Sequence, residues 1–373
     1  MSDAGILRTM TPTLIADDAA LAALLDRLAP APWVAVDTEF VRERTYYAQL
    51  CLVQIGNADE VACIDALAVD LGPLWRFLRD PARTKVLHSA SQDMEIFVEH
   101  AGDCPRPLFD TQVAAALLGL GDQISYAALV EARLGISIDK SQSRTDWSKR
   151  PLSAAQLSYA ADDVRHLAAL YPALRAALEA AEREDWLRED CAAITQPERY
   201  RPDPAQAWQR LKGLGRLDAD AQHAAAALAR WREERALASN RPRRWILSDE
   251  VLLAIAERRP QSLAELATCA DVPARNLDRD GKAWMACMQQ APTGGPPLVD
   301  DFRPDSAHRA LVKQLGHTVR SRADALGVPP SLLAARASLE MLARFGASAE
   351  NPALRGWRRP AVGEALLAAL DSA

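Results

Sequence analysis

WVAVDTEF, residues 33–40, is an apolar run of strand length that ends in charge. With a side-chain period of two, Asp37 and Glu39 share one face of that strand, roughly 7 Å apart by strand rise. A buried strand has no packing use for two carboxylates. Two this close repel each other and lose hydration, which raises their pKa unless cations share the site. A divalent metal resolves the conflict; the plainer alternative is a strand end running into a loop with both groups solvated. Three more apolar runs follow, LCLVQIG (50–56), VACIDA (61–66) and KVLHS (85–89). The early runs succeed one another at hairpin distance, and helical patterns take over at about 93–101, 110–120, 125–134 and 153–183. That order predicts an α/β domain, a mixed sheet flanked by helices.

Two stretches further out read as linkers, CAAITQPERYRPDP (191–204) and APTGGPPLVDDFRPD (291–305), both dense in turn-forming residues. They divide the 373 residues into parts at 1–190, 203–287 and 303–373. The last two show almost no strand pattern. AQHAAAALARWREERALAS and SLLAARASLEMLARFG read as helices, so two small all-α bundles are expected.

The composition, 49% hydrophobic and 25% charged, suits a chain of two or three soluble domains. Six cysteines without a CxxC pair argue against a disulfide scaffold and a thiolate zinc site. The first residues lack a basic segment followed by a long apolar run, and no apolar stretch of about 18 residues occurs, which predicts a cytoplasmic protein with no membrane partner. The net charge of −6 hides a split: residues 1–200 hold 19 Lys and Arg against 30 Asp and Glu, the remainder 25 against 20. An acidic front half suits carboxylate chemistry with cations, and a basic back half suits a polyanion.

Asp93, in KVLHSASQDMEIF, falls in the first turn of a helix, where an acid also satisfies the helix dipole. Asp163, in LSYAADDVRHL, shares a helix face with Tyr159 four residues earlier, whereas Asp162 points about 100° away. Asp110 precedes Thr111 and an Ala- and Leu-rich helix, the pattern of a structural N-cap. His88 and His166 are read as structural or packing residues.

DTE, an aspartate opening a helix, then YxxxD on a late helix together resemble the tyrosine branch of the DEDD exonuclease superfamily. The likeness to the ribonuclease D family is closer, through DTEFVRERTYYAQLCLVQIG (37–56), LHSASQDMEIF (87–97), FDTQVAA (109–115) and DKSQSRTDWSKRPLSAAQLSYAADDV (139–164). It covers roughly 30–185. Residues from about 203 to 284 resemble the helicase-and-RNase-D C-terminal (HRDC) module, and those from about 303 to 371 look like a diverged second copy. Polymerase proofreading relatives carry Asn where this chain has Ser89, and no polymerase follows, which argues against that role.

The resemblance implies a ribonuclease H-like fold and a metal-dependent 3′–5′ exoribonuclease. Two Mg²⁺ ions, with Mn²⁺ as an alternative, would sit on Asp37, Glu39, Asp93 and Asp163, and Tyr159 would orient the attacking water. The implied partner is RNA with an accessible 3′ end, transfer-RNA precursors and small stable RNAs included, trimmed to nucleoside 5′-monophosphates by a monomer without an obligate protein partner. For substrate contacts, Lys140, Arg144 and Trp147 combine charge with an aromatic, Tyr47 offers a stacking ring, and Arg243 and Arg244 lie in the densest basic cluster. The rival readings are an exonuclease acting mainly on DNA and a catalytically silent RNA-binding adaptor.

Overall fold

The computed structural model describes residues 12–139, 141–143, 145–269, 272, 274–300 and 302–372. They form two compact units. One comprises the chain up to Val41, Leu50–Arg201 and everything from Pro304; the other comprises Arg42–Gln49 and Pro202–Arg303.

The first unit is built on a six-stranded sheet of β1 (Thr13–Ile15), β2 (Trp33–Val41), β3 (Gln49–Gly56), β4 (Val61–Asp65), β5 (Thr84–Leu87) and β6 (Leu108–Asp110), in spatial order β1-β4-β3-β2-β5-β6. β1 with β4, β2 with β5 and β5 with β6 pair in parallel, while β3 and β4 pair antiparallel, so the sheet is mixed as expected. Val34, Ala35 and Val36 are all buried. Successive buried residues point to opposite faces, so both faces of β2 are covered. The turn from β3 to β4 is made by Asn57, whose side chain accepts the Asp59 and Glu60 N–H groups. A Cβ on Gly56 would lie 2.5 Å from the Glu60 carbonyl, so the turn needs glycine there. β1 and β6, three residues each, are too short to show a period in sequence.

The helices of this part are α1 (Asp18–Leu28), α2 (Gly72–Leu78), α3 (Ser91–Ala101), α4 (Thr111–Leu117), α5 (Tyr126–Leu134), α6 (Ala154–Ala180) and α7 (Glu184–Ile194). Local chemistry starts most of them: Asp17, Asp110 and Ser125 cap α1, α4 and α5, and Ser153 with Gln156 forms a capping box on α6. α6 presents Ala160, Ala161, Val164 and Leu167 inward, which seats it on the sheet.

The second unit contains α8 (Ala219–Ser239), α9 (Arg243–Ile246), α10 (Asp249–Arg258), α11 (Leu263–Ala267) and α12 (Ala274–Gln290); Leu228, Leu252, Ile255, Leu266 and Trp284 form its core, and Ile246 of α9 packs separately with Ala236 of α8 and Tyr46. α13 (Ser306–Leu326), α14 (Pro330–Leu333), α15 (Arg336–Phe345) and α16 (Glu364–Asp371) complete the helical content. These last four do not form a free-standing body; they group with the sheet. Trp357 stacks on Trp186 of α7 at 4.3 Å, and Arg358 grips Asp190 through two bonds of 2.6 and 3.0 Å. No helix among the described residues is long and apolar enough to cross a membrane.

Candidate active site

β2, α3 and α6 each deliver part of one acidic cluster. Asp37 and Glu39 stand on β2, Asp93 on the first turn of α3, and Asp163 on α6. Asp37, Glu39 and Asp163 each offer an oxygen, and these three oxygens lie within 4.8 Å of one another. Asp93 is buried, and its carboxylate accepts a 2.5 Å hydrogen bond from the Thr38 hydroxyl.

The loop before α3 is shaped by Asp110. Besides capping α4, its carboxylate accepts the N–H groups of Ser89 and Ala90, at 3.1 and 2.8 Å. Ser89 has φ +56°, a left-handed conformation that a non-glycine residue adopts only when its surroundings hold it there. Asp110 therefore keeps the structural role expected of it, and through that turn it aims α3 and Asp93.

Burial, followed by repulsion from Asp163, Asp93 and Glu39, pushes the Asp37 carboxyl well above the usual carboxylate range. Glu39 is pushed up to about 8 by burial and by Asp163 and Asp93. Burial raises Asp93 and Asp163 to about 7 each; the Thr38 hydroxyl opposes the rise at Asp93, and Asp162 adds to it at Asp163. A cluster in this condition either keeps protons or takes up cations. Its donors are all carboxylate oxygens, the set that suits Mg²⁺ or Mn²⁺, so the residues fit divalent ions.

Tyr159 is half-buried on α6, and burial with the charges of Asp163, Glu39 and Asp37 holds its hydroxyl protonated far above neutral pH. That suits hydrogen bonding rather than proton abstraction. Tyr126 of α5, which no local signal marks out, donates its hydroxyl to the main-chain carbonyl of Asp163. Its ring lies 5.3 Å from that of His88, whose Nδ1 is 2.9 Å from the Thr111 hydroxyl, the structural place expected of this histidine. Thr38 was equally illegible in sequence, because nothing local pairs it with a residue 55 positions on.

The expected substrate contacts fare unevenly. Lys140 and Arg144 lie outside the described residues. Trp147 is only 2% exposed, packed with Leu52, Leu152 and Ala160 and 6.2 Å from the ring of Tyr159. It has no face open to a base, so its role is corrected to a wall behind Tyr159. Tyr47 packs edge-on against Tyr46 in the second unit. Arg243 is corrected as well: its guanidinium is committed to buried Glu233 and to the Tyr46 hydroxyl. Arg244 is exposed.

The chain matches the model of a 3′–5′ exonuclease family over residues 12–179 and that of the HRDC domain over 222–288. It is 41% identical to the ribonuclease D of Granulibacter bethesdensis, covering 97% of this chain and 93% of that one. Identity to the ribonuclease D of Acidiphilium cryptum is also 41%, with coverages of 93% and 90%. Among solved structures, Escherichia coli RNase D, described as an exoribonuclease involved in structured RNA processing, superposes with a TM-score of 0.89 at 31% identity, over 97% of this chain and 99% of the other.

Proposed function

This chain belongs to the ribonuclease D family of 3′–5′ exoribonucleases, and from that premise we propose that it trims structured RNAs, transfer-RNA precursors included, releasing nucleoside 5′-monophosphates from the 3′ end. The observation that carries the reading is the convergence of Asp37, Glu39 and Asp163 within 4.8 Å, with their carboxyls pushed toward the protonated state.

Asp37, Glu39 and Asp163 would hold one divalent ion, and Asp93, whose charge acts on Asp37, adds the donor for a second. Ions so held, Mg²⁺ or Mn²⁺, would supply Lewis acidity, lowering the pKa of a water and offsetting charge on a departing oxygen. Tyr159 would orient the attacking water through its protonated hydroxyl, a contribution of geometry. Tyr126 holds the turn of α6 that carries Asp163, and Trp147 backs Tyr159. We read the chain as an exonuclease domain to about residue 190, an HRDC module at 203–287 and a diverged second copy at 303–373. Lys140 and Arg144 are proposed to contact the RNA backbone, and the enzyme to act as a cytoplasmic monomer.

The test is a 5′-labelled RNA with a single-stranded 3′ tail, incubated with the protein in Mg²⁺, in EDTA, and with Asp37→Ala. Progressive 3′ shortening that needs both the metal and Asp37 is expected. RNA that stays intact in Mg²⁺ and Mn²⁺ yet shifts in a binding gel would replace the reading with that of an adaptor, and faster loss of a matched DNA would replace the substrate.

A further inference from the structure

The starting ends of β2, β5 and β6, away from the acidic cluster, frame a cavity of about 370 Å³ that the chemistry above does not use. Trp33 opens β2 and is paired in register with Thr84, which opens β5. Both line the cavity together with Phe109 of β6. Tyr171 of α6 joins the two aromatics: its ring lies 4.8 Å from that of Trp33 and 4.9 Å from that of Phe109. Asp37 stands four residues beyond Trp33 on β2, so about 13 Å of strand separates the cavity from the acidic cluster.

Few polar groups reach this apolar space, and the main ones are uncommitted. Tyr171 is only 5% exposed, yet its hydroxyl has no hydrogen-bond partner among the described residues. A buried tyrosine hydroxyl ordinarily has one. Arg175 follows Tyr171 by four residues, so its stem rises from the same face of α6. It lines the cavity, is exposed, and makes no ion pair or hydrogen bond among the described residues. Glu184 and Arg188 come from α7, one turn apart, and Arg188 is already paired with Asp185. Glu184 is the only carboxylate among the lining residues described.

A cavity of this size, with apolar and aromatic walls and a few convergent polar groups, has the form of a small-molecule site. The half-buried indole of Trp33 suits a flat ring, the Arg175 guanidinium suits one anionic group, and the Tyr171 hydroxyl and Glu184 suit ligand hydroxyls. One free guanidinium close in sequence to no other uncommitted cation, with Glu184 and Asp185 at the start of α7, favours a single phosphate over the continuous charge of a polymer. We propose that this cavity binds a free nucleoside 5′-monophosphate, with its base on Trp33 and its phosphate on Arg175, at a second site remote from the acidic cluster. The inference rests on the exoribonuclease reading above, whose reaction releases that compound, and adds to it a place where the product is held.

The experiment is equilibrium dialysis of radiolabelled AMP, GMP, CMP and UMP against the full-length chain in EDTA, so that no metal at the acidic cluster attracts phosphate. Adenosine and inorganic phosphate serve as incomplete probes. Saturable binding of at least one nucleotide is expected, with both incomplete probes clearly weaker. Arg175→Ala should lower nucleotide affinity about tenfold through loss of a charge-assisted bond, and Arg175→Lys should recover part of it. Tyr171→Phe, which keeps the ring and removes the hydroxyl, should weaken binding severalfold without lowering the melting temperature. Asp37→Ala should bind as the parent does. The proposal is overturned by absence of saturable binding in the parent, by unchanged affinity in Arg175→Ala, or by adenosine or phosphate binding as tightly as the nucleotide. Loss of binding in Asp37→Ala would place the ligand at the acidic cluster and overturn it as well. Dialysis needs no cleavage, so failure of the parent to shorten RNA would count against the exoribonuclease reading, and the two failures are separable.

Discussion

The hydroxyl of Thr38 on β2 donates a 2.5 Å hydrogen bond to the carboxylate of Asp93 on α3, joining the strand that carries two acids of the cluster to the helix that carries another. The donor lies between Asp37 and Glu39 in sequence, so a shift at Thr38 is felt by three carboxylates at once.

Replacing Thr38 by Val keeps the shape and removes the donor. The bond favours the charged form of Asp93, so its loss should raise that carboxyl above about 7 and move the acidic limb of the pH–rate profile upward. A buried bond to a charged acceptor contributes about 1.5–3 kcal/mol, so a drop of about tenfold in kcat at pH 7 is expected, with Thr38→Ser close to wild type. Rates measured from pH 5.5 to 9 check this.

Metal and pH should act on stability in opposite senses. In EDTA the raised carboxyls of Glu39, Asp93 and Asp163 bind more protons in the folded than in the unfolded state, from about pH 4 up to about 7 for the two aspartates and about 8 for Glu39. The stability this confers is present below about pH 4 and is lost as pH rises through 7 to 8. Metal binding releases those protons, so the melting-temperature gain from Mg²⁺ or Mn²⁺ should be larger at pH 8 than at pH 6. Asp37→Asn should raise the melting temperature in EDTA at pH 8 and abolish the response to metal. Thermal melts at the two pH values decide it; a metal gain that shrinks with pH would contradict the assignment.

Trp147→Ala tests a packing role against a base-stacking one. Truncating a large buried aromatic costs about 3–5 kcal/mol, so the variant should melt well below wild type. Its kcat should fall through the loss of Tyr159's support, while Trp147→Phe retains most of both. Affinity of the Asp37→Asn form for RNA should change little.

Asp190 of α7 anchors Trp357 and Arg358. Its carboxylate accepts from the two terminal guanidinium nitrogens of Arg358 and from the Trp357 indole N–H, the last at 3.0 Å, and neither partner of the ion pair is more than 21% exposed on its side chain. Arg358→Ala strands a largely buried carboxylate, and a loss of about 2–3 kcal/mol is expected once residual solvent exposure is allowed for. Gly356→Ala should act at the same place, since its Cβ would lie 1.6 Å from a Glu189 oxygen at φ +51°. Limited proteolysis should then cut first within 304–373; an unchanged pattern would show that this contact does not hold the segment.

Local chemistry made much of this protein legible from the chain alone. The period of two placed Asp37 and Glu39 on one strand face, the helical period put Tyr159 with Asp163, and the side chains of Asp110, Ser125 and Ser153 start the helices they precede. Each of these relations spans a few residues, which is the range over which backbone geometry alone sets who meets whom. What the tertiary structure decided is where long-range partners meet: Thr38 with Asp93 across 55 positions, Tyr46 with Glu233 across 187, and Arg358 with Asp190 across 168. Those same contacts decided which charged and aromatic residues remained available. Trp147 and Arg243 resembled substrate contacts until packing consumed them, whereas Trp245 was left exposed. Exposure depends on what the rest of the chain buries against a residue, and no local pattern carries that information.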